Sequence, residues 1–136
     1  MSTKTASEFE INGNIVTVTL EVDRAYLAPG ELLTAKASFV QKGKNPGNFL
    51  TSECVIATPV SGPLELFNIK ENCEPSNDLK LSARCEKFNT YFTTLLDDAI
   101  VQASGVFVSA DRNKHHIFTD PLLIKIGKPE SEIERI

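Results

Sequence analysis

Cysteine and histidine are the residue types in this chain of 136 residues that nucleophilic catalysis or metal binding would use first. The three cysteines are Cys54, Cys73 and Cys85, and the adjacent histidines His115 and His116 lie far along the chain from all of them. Neighbouring side chains of a strand point to opposite faces of a sheet, so two adjacent histidines do not bind one ion together, and a third ligand is missing. We therefore expect two surface-loop histidines and no metal site.

Four aspartates could supply the carboxylate oxygens that calcium prefers. They are Asp97, Asp98, Asp111 and Asp120. Their spacing does not follow the D-x-D-x-D-G pattern of an EF-hand loop. Aspartate also favours turns, because its side chain bonds the backbone two residues further on. We interpret these residues as turn formers, with Asp97 and Asp98 as a candidate hairpin turn.

Common catalytic motifs are missing from the sequence, which contains no G-x-S-x-G, no P-loop and no G-x-G-x-x-G. A cysteine nucleophile would need a nearby base, and only the two distant histidines are available. We therefore expect no enzyme. We assign no catalytic, cofactor-binding or metal-binding residue, and we expect no cofactor.

The cysteine count is odd and no secretion signal accompanies it, which favours free thiols in a reducing compartment. Cys85 alternates with Leu79 and Leu81, which is typical of a small buried hydrophobic residue rather than a nucleophile. A disulfide between Cys73 and Cys85 stays open as the alternative for an oxidising compartment.

Acidic and basic residues are interspersed, and the net charge is −4. Nucleic-acid binding would favour a positively charged face, so we do not expect a nucleic-acid partner. Four cations, Arg24, Lys36, Lys42 and Lys44, could form a small basic strip near the second strand, although a solvated sheet face explains them equally well. An OB-type barrel that binds single strands is the alternative of a different class.

The N-terminal residues 1–6 contain no apolar segment of the kind found in signal peptides, and no apolar run is long enough to cross a bilayer. We expect no membrane insertion, and a location in the cytoplasm or in a virion.

Two strands joined by a turn organise the predicted fold. Residues 16–22 and 33–39 both alternate apolar and polar side chains, which is the period of a half-buried strand. Pro29 and Gly30 suit the middle of a type II turn between them. Asn12 and Gly13 likewise predict a type I′ hairpin that pairs a short strand at residues 8–11 with residues 16–22.

Further strands are predicted at residues 49–58, 64–69, 79–85, 105–109, 117–118 and 122–126. Residues 88–103 fit either a helix or two strands, and we favour the strands. About eight or nine short strands with turns between them predict an antiparallel β-sandwich in one domain, residues 1–136. We assign residues 1–7 to an N-terminal arm and residues 128–136 to a charged tail. The expected core residues are Val18, Leu20, Leu33, Ala35, Phe39, Leu81, Phe107 and Ile124.

The alternating strands at residues 16–39, with their Pro-Gly-Glu turn, and the runs at residues 81–85 and 103–109 resemble immunoglobulin-like modules of bacterial surface proteins and phage structural proteins. The resemblance implies an immunoglobulin-like sandwich with a structural role. The chain departs from antibody-type domains because it has no tryptophan and lacks their wide cysteine spacing. An arrestin-type sandwich, which uses a similar turn, is also open.

We expect a non-enzymatic structural protein, such as a virion or coat component, that self-associates or joins a larger assembly through protein contacts. An adaptor or adhesion-type module that binds one partner is the alternative. Ile133 and Ile136 lie three residues apart in a charged tail, so they would share one side of a helical turn. We predict that these two residues, together with the N-terminal arm, contact neighbouring subunits.

Overall fold

The computed structural model of the chain describes residues 2–27, 31–57, 65–71, 75–84 and 97–126. These ranges contain ten strands and no helix, and hence no helix that could span a membrane. The strands are β1 (Thr3–Ile11), β2 (Asn14–Val22), β3 (Tyr26–Leu27), β4 (Leu32–Lys42), β5 (Asn48–Ala57), β6 (Glu65–Lys70), β7 (Asn77–Arg84), β8 (Asp97–Val108), β9 (Lys114–Phe118) and β10 (Leu122–Ile126).

The strands form two sheets that enclose one core, so the predicted all-β sandwich is confirmed. One sheet has four strands in the order β1-β2-β4-β7, and the other has six in the order β3-β10-β8-β5-β6, with β9 also paired to β8. The pairs are antiparallel except for β3 with β10, which is parallel. The described strands exceed the predicted eight or nine, and β4, β5 and β8 are not short, with 11, 10 and 12 residues.

The two central predicted strands pair with each other as β2 and β4. The alternating apolar residues of 16–22 and 33–39 point inward, because the period of the side chains matches the period of the strand. Ile15 and Val40, in the same pairing, point outward and are exposed. The connection between them is longer than a tight turn. Tyr26 and Leu27 cross to the other sheet as β3 and pair with Lys125 and Ile126. The predicted turn at Pro29 and Gly30 lies outside the described residues.

The predicted Asn-Gly hairpin is confirmed, with positive φ angles of 51° at Asn12 and 80° at Gly13. The strand before it is longer than predicted, because β1 begins at Thr3 and pairs residue by residue with β2 as far as Val22. Residues 3–7 therefore belong to the sheet, and their assignment to an N-terminal arm is wrong. Their inward side chains are threonine and serine, so the sequence shows no alternation of apolar and polar residues there.

The ambiguous segment ends in one long strand rather than in a hairpin. Asp97 and Asp98 open β8, which continues without a break to Val108, so the hairpin turn predicted at these aspartates is wrong. They pair with Ile126 and Lys125 of β10. Residues 85–96, which hold the rest of the helix-or-strand question, lie outside the described residues.

The core contains seven of the eight predicted residues as fully buried side chains, and Leu81 packs against it half-buried. Three phenylalanines join the two sheets at its centre. The rings of Phe39 and Phe49 have centroids 5.7 Å apart, and those of Phe49 and Phe107 are 5.1 Å apart. Both contacts are tilted or edge-on, which is the favourable arrangement for aromatic pairs.

The β4–β5 loop is fixed by side chains that bond its backbone. The Gln41 side-chain amide donates to the Gly47 carbonyl at 2.5 Å, and the Gly47 N–H donates back to Gln41 Oε1 at 2.8 Å. Gly47 has no room for a side chain, because a Cβ there would lie 2.2 Å from the Val108 carbonyl oxygen. The bonds tie this loop to Gln41 of β4, and Gly47 packs closely against the backbone of β8.

Candidate functional site: an exposed sheet face and its edge

The outer face of the four-stranded sheet carries a row of charged side chains. Strand register places Lys4 opposite Glu21, Glu21 opposite Lys36, and Lys36 opposite Lys80. All three lysines are exposed, and Glu21 is half-buried. The row crosses all four strands at right angles to the chain, so residues distant in sequence become immediate neighbours.

Opposite charges alternate along this row only from Lys4 to Lys36. Lys4 and Lys36 flank Glu21, and opposite charges that face each other across strands are stabilising. Lys36 and Lys80 are like charges that face each other directly, which is unfavourable. Asp78 lies on the same face beside both, opposite Ser38. The row therefore has an excess of positive charge at its β4–β7 end.

A surface groove of about 330 Å³ follows this row. Its polar groups are three lysines, two carboxylates and two hydroxyls, which leaves one net positive charge. It is lined by Lys4, Thr19, Glu21, Lys36, Ala37, Ser38, Asp78, Leu79 and Lys80. The groove offers hydrogen bonds and a small positive charge, which suits a short acidic or polar segment better than a polyanion.

The basic strip that the sequence suggested is not assembled. Arg24 forms ion pairs with two acidic residues: its Nη1 is 2.5 Å from Glu31 Oε2, and its Nε is 3.9 Å from Asp23 Oδ2. Lys42 is on the same face as Lys36 but six residues along β4, which is roughly 20 Å away. Lys36 is the member that joins the observed row. The row is a product of cross-strand register, which the local β1–β2 hairpin sets for Lys4 and Glu21 and long-range pairing sets for Lys80.

The outer edge of β1 is the second feature of this face. Among the described residues β1 pairs only with β2, so the nine residues of β1 form an edge strand of the sheet. Their exposed side chains are polarised along the strand, with Lys4 near one end and Glu8 and Glu10 near the other, separated by Ala6. This edge is regular, since every residue from Thr3 to Ile11 keeps register with β2.

A serine, a histidine and an aspartate meet at the β8–β9 turn, but their bonds are not those of a catalytic triad. The Ser109 hydroxyl donates to Asp111 Oδ1 and lies 3.1 Å from His115 Nε2. In a triad the carboxylate bonds the histidine, whereas here it bonds the serine and the Asn113 amides. Ser109 is also 3% exposed, so a substrate would not reach it.

These bonds hold the turn instead. The Ser109 N–H donates to the Asn113 carbonyl at 3.0 Å, and the Arg112 N–H donates to the Ser109 carbonyl at 2.8 Å. Arg112 has a positive φ of 69°, an uncommon angle for a non-glycine residue. The hydrogen bond from Ser109, followed by the Asn113 N–H, lowers the pKa of Asp111. The predicted turn at this aspartate is confirmed.

The histidines lie on β9, so the expectation of a surface loop is wrong, because β9 starts at Lys114. They point to opposite faces, as the strand geometry predicted. His115 is half-buried against Ser109, while His116 is exposed with its ring 5.6 Å from that of Phe118. Across the described ranges, no group of three or more potential metal ligands is assembled.

Cys54 is fully buried on β5 as a free thiol. Burial raises its pKa to about 11, and the neighbouring charge of Glu53 adds to the effect. A thiol held neutral in this way is a poor nucleophile, because the thiolate is the reactive form. Cys73 and Cys85 lie outside the described residues, and so do the predicted contact residues Ile133 and Ile136.

Comparison with known proteins gives no family. No family model matches the chain, and no curated protein matches it. One similar solved structure is described as "X-ray structure of Northeast Structural Genomics Consortium target SoR45". The match covers 96% of this chain and 87% of that one, with 8% sequence identity and a TM-score of 0.42.

Proposed function

We propose that this chain is a non-enzymatic structural protein that works by protein–protein contacts between copies of itself in a larger assembly. A virion or another protein coat is the kind of assembly that fits, with the chain in a virion or in the cytoplasm. We further propose that its sandwich is of the immunoglobulin-like type found in bacterial surface and phage structural proteins. Support for this finer assignment comes from the sequence pattern, and support for the assembly role comes from the sheet edge.

The observation that carries the assembly role is the free edge of β1. An edge strand presents unpaired N–H and C=O groups, and proteins usually shorten, bend or cover such edges. Here nine residues stay in unbroken register, without proline or bulge, and within the described ranges nothing pairs with their outer side. A second strand can therefore extend this sheet through main-chain hydrogen bonds.

Light scattering on the full chain tests this role over a wide range of protein concentration. We expect a mass above the 14.9 kDa of one chain that rises with concentration. A chain that lacks residues 128–136 is measured alongside, since Ile133 and Ile136 are proposed as further contacts. We expect it to fold and to associate more weakly. A full chain that stays monomeric at all concentrations contradicts the assembly role.

A partner-binding module is the second candidate, and the groove along the lysine row supports it. Three lysines and two carboxylates line the groove and leave one net positive charge, to which a carboxylate of a bound segment would be attracted. Nucleic acid is not proposed, because Glu21 and Asp78 stand among the lysines and would repel phosphates. Binding of short acidic peptides by a monomeric chain would favour this candidate over assembly.

A further inference from the structure

We propose that two copies of the chain pair along β1, antiparallel, about a two-fold axis at Ala6, so that two four-stranded sheets become one continuous sheet. The inference rests on the proposed assembly function and names the surface and the partner. Three features of β1 support this pairing: the orientation of its backbone, the order of its exposed charges, and the charges that already face it on β2.

The hairpin turn decides which backbone groups of β1 are free. In a two-residue hairpin the flanking residues, here Ile11 and Asn14, exchange both hydrogen bonds, and such bonded pairs then recur at every second residue. Thr5 and Ser7 therefore bond β2. The alternate residues point their N–H and C=O groups to the open edge instead. They are Lys4, Ala6, Glu8 and Glu10, and the side chains of all four are exposed.

The charges of this set are complementary to themselves when the strand is reversed. With the axis at Ala6, Lys4 faces Glu8 of the partner subunit, and the two-fold symmetry makes this contact twice. Parallel pairing in register would instead place each charge against its own copy. Closed two-fold dimers use one surface patch on both subunits, which requires this kind of self-complementarity.

Other registers fit less well. A change of register by an even number of residues keeps the two sheet faces aligned, because side chains alternate between faces. An axis at Thr5 leaves Glu8 opposite Ser2 of the partner subunit, and an axis at Glu8 puts two carboxylates together. An axis at Ser7 pairs the whole of β1 and places Lys4 opposite Glu10 of the partner subunit, but it makes the two copies of Glu8 diagonal neighbours on one face, which brings like charges together. With the axis at Ala6, no two like charges are direct or diagonal neighbours across the seam.

The axis at Ala6 also completes the charged row of the sheet. Lys4 already faces Glu21 on its own sheet, and Glu21 faces Lys36. Addition of Glu8 of the partner subunit at the outer end gives an alternating order of charges across the dimer seam. Alternation of opposite charges directly across strands is the favourable arrangement on an exposed face.

Charge exchange in the full chain tests the pairing, with sedimentation velocity as the measurement of the dimer dissociation constant. Lys4→Glu and Glu8→Lys each create two like-charge contacts per dimer, and we expect each to weaken dimerisation about tenfold or more. The double variant K4E/E8K restores the pairs and is expected to dimerise within about threefold of the unmodified chain.

Glu10→Lys is the matched control, since it makes the same charge change on the same face of the same strand. In the proposed register Glu10 faces Ser2 of the partner subunit, so the substitution is expected to leave the dissociation constant within about threefold. If Glu10→Lys weakens the dimer and Glu8→Lys does not, the axis at Ala6 is wrong.

Ala6→Pro provides a test that does not depend on charge. The Ala6 N–H does not bond β2, so proline removes only the edge donor, and such positions on edge strands accept proline. We expect a folded monomer, with folding checked by circular dichroism. An unchanged dimer, or charge variants without effect on a chain that still assembles, overturns the pairing at β1 while the assembly function stands. An unmodified chain that is monomeric overturns both.

Discussion

At the scale of single residues, burial and hydrogen bonding decide the chemistry that residue type alone leaves open. Cys54 was one of three cysteines that could have been a nucleophile, and its position on an inward face makes it a core residue. Ser109, Asp111 and His115 lie within six residues of one another in the sequence, and their hydrogen bonds hold the β8–β9 turn. The sequence indicated the turn, but not the bonds.

The Cys54 thiol is expected to resist alkylation in the folded protein. With a pKa of about 11, only about a thousandth of it is ionised at about pH 8, and the side chain has no exposed surface. Treatment with iodoacetamide, followed by peptide mass spectrometry, measures modification at this residue alone. We expect labelling in urea and very little without it. Labelling of the native protein at the rate seen in urea would place Cys54 at the surface.

The β8–β9 turn is expected to lose stability in acid through Asp111. Its pKa is lowered below the ordinary value of 3.8 in the folded state, so the carboxylate stabilises the fold above that value, and the contribution is lost as the pH falls through the lowered pKa. Asp111→Asn removes this dependence. We expect the free energy of unfolding of the variant to fall less between neutral and acidic pH.

Asp120→Asn, which changes an exposed aspartate just after β9, is the control for Asp111→Asn. Urea unfolding at several pH values measures all three proteins. If Asp111→Asn and the unmodified chain lose stability in parallel down to acidic pH, the turn network does not depend on the carboxylate.

At the scale of elements, the sequence predicts strands where apolar and polar residues alternate cleanly, as in β2 and β4. It fails where that contrast is missing. The first half of β1 turns threonine and serine inward, so its pattern looks like a polar arm. In β8, apolar residues such as Ile100 and Val106 occupy the outer positions as well, so a period of two is hidden. β3 has two residues, too few for any pattern.

Leu20 of β2 and Leu81 of β7 were both predicted as core residues, but their different burial is expected to give different losses of stability on substitution. Leu20 is fully buried, so Leu20→Ala should lower the free energy of unfolding by about 2–5 kcal/mol. Leu81 is half-buried at the margin of the core, and Leu81→Ala should cost less, about 1–2 kcal/mol. Urea unfolding measures both. An equal loss for the two variants would mean that Leu81 is covered as completely as Leu20.

At the scale of the whole molecule, strand number and turn spacing predicted a sandwich, and the core residues followed from alternation within strands. The partners of each strand did not follow. β4 pairs with β7 and β5 with β8 across long stretches of chain, and only this pairing brings Lys36 beside Lys80. The Lys36–Lys80 end of the charged row therefore had no signal in the sequence, because it depends on register between distant segments. The position of β1 at the edge of the sheet likewise depends on which distant strands pair.

Residue-resolved amide hydrogen exchange along β1, measured by NMR at low and high protein concentration, tests the proposed joining of copies most directly. The amides of Thr5 and Ser7 bond β2 and are expected to exchange slowly at every concentration. The amides of Lys4, Ala6 and Glu8 face the open edge, so they should exchange fast in dilute protein and slowly in concentrated protein. Fast exchange at these three amides in a protein that has assembled would contradict the account, because the copies would then join elsewhere.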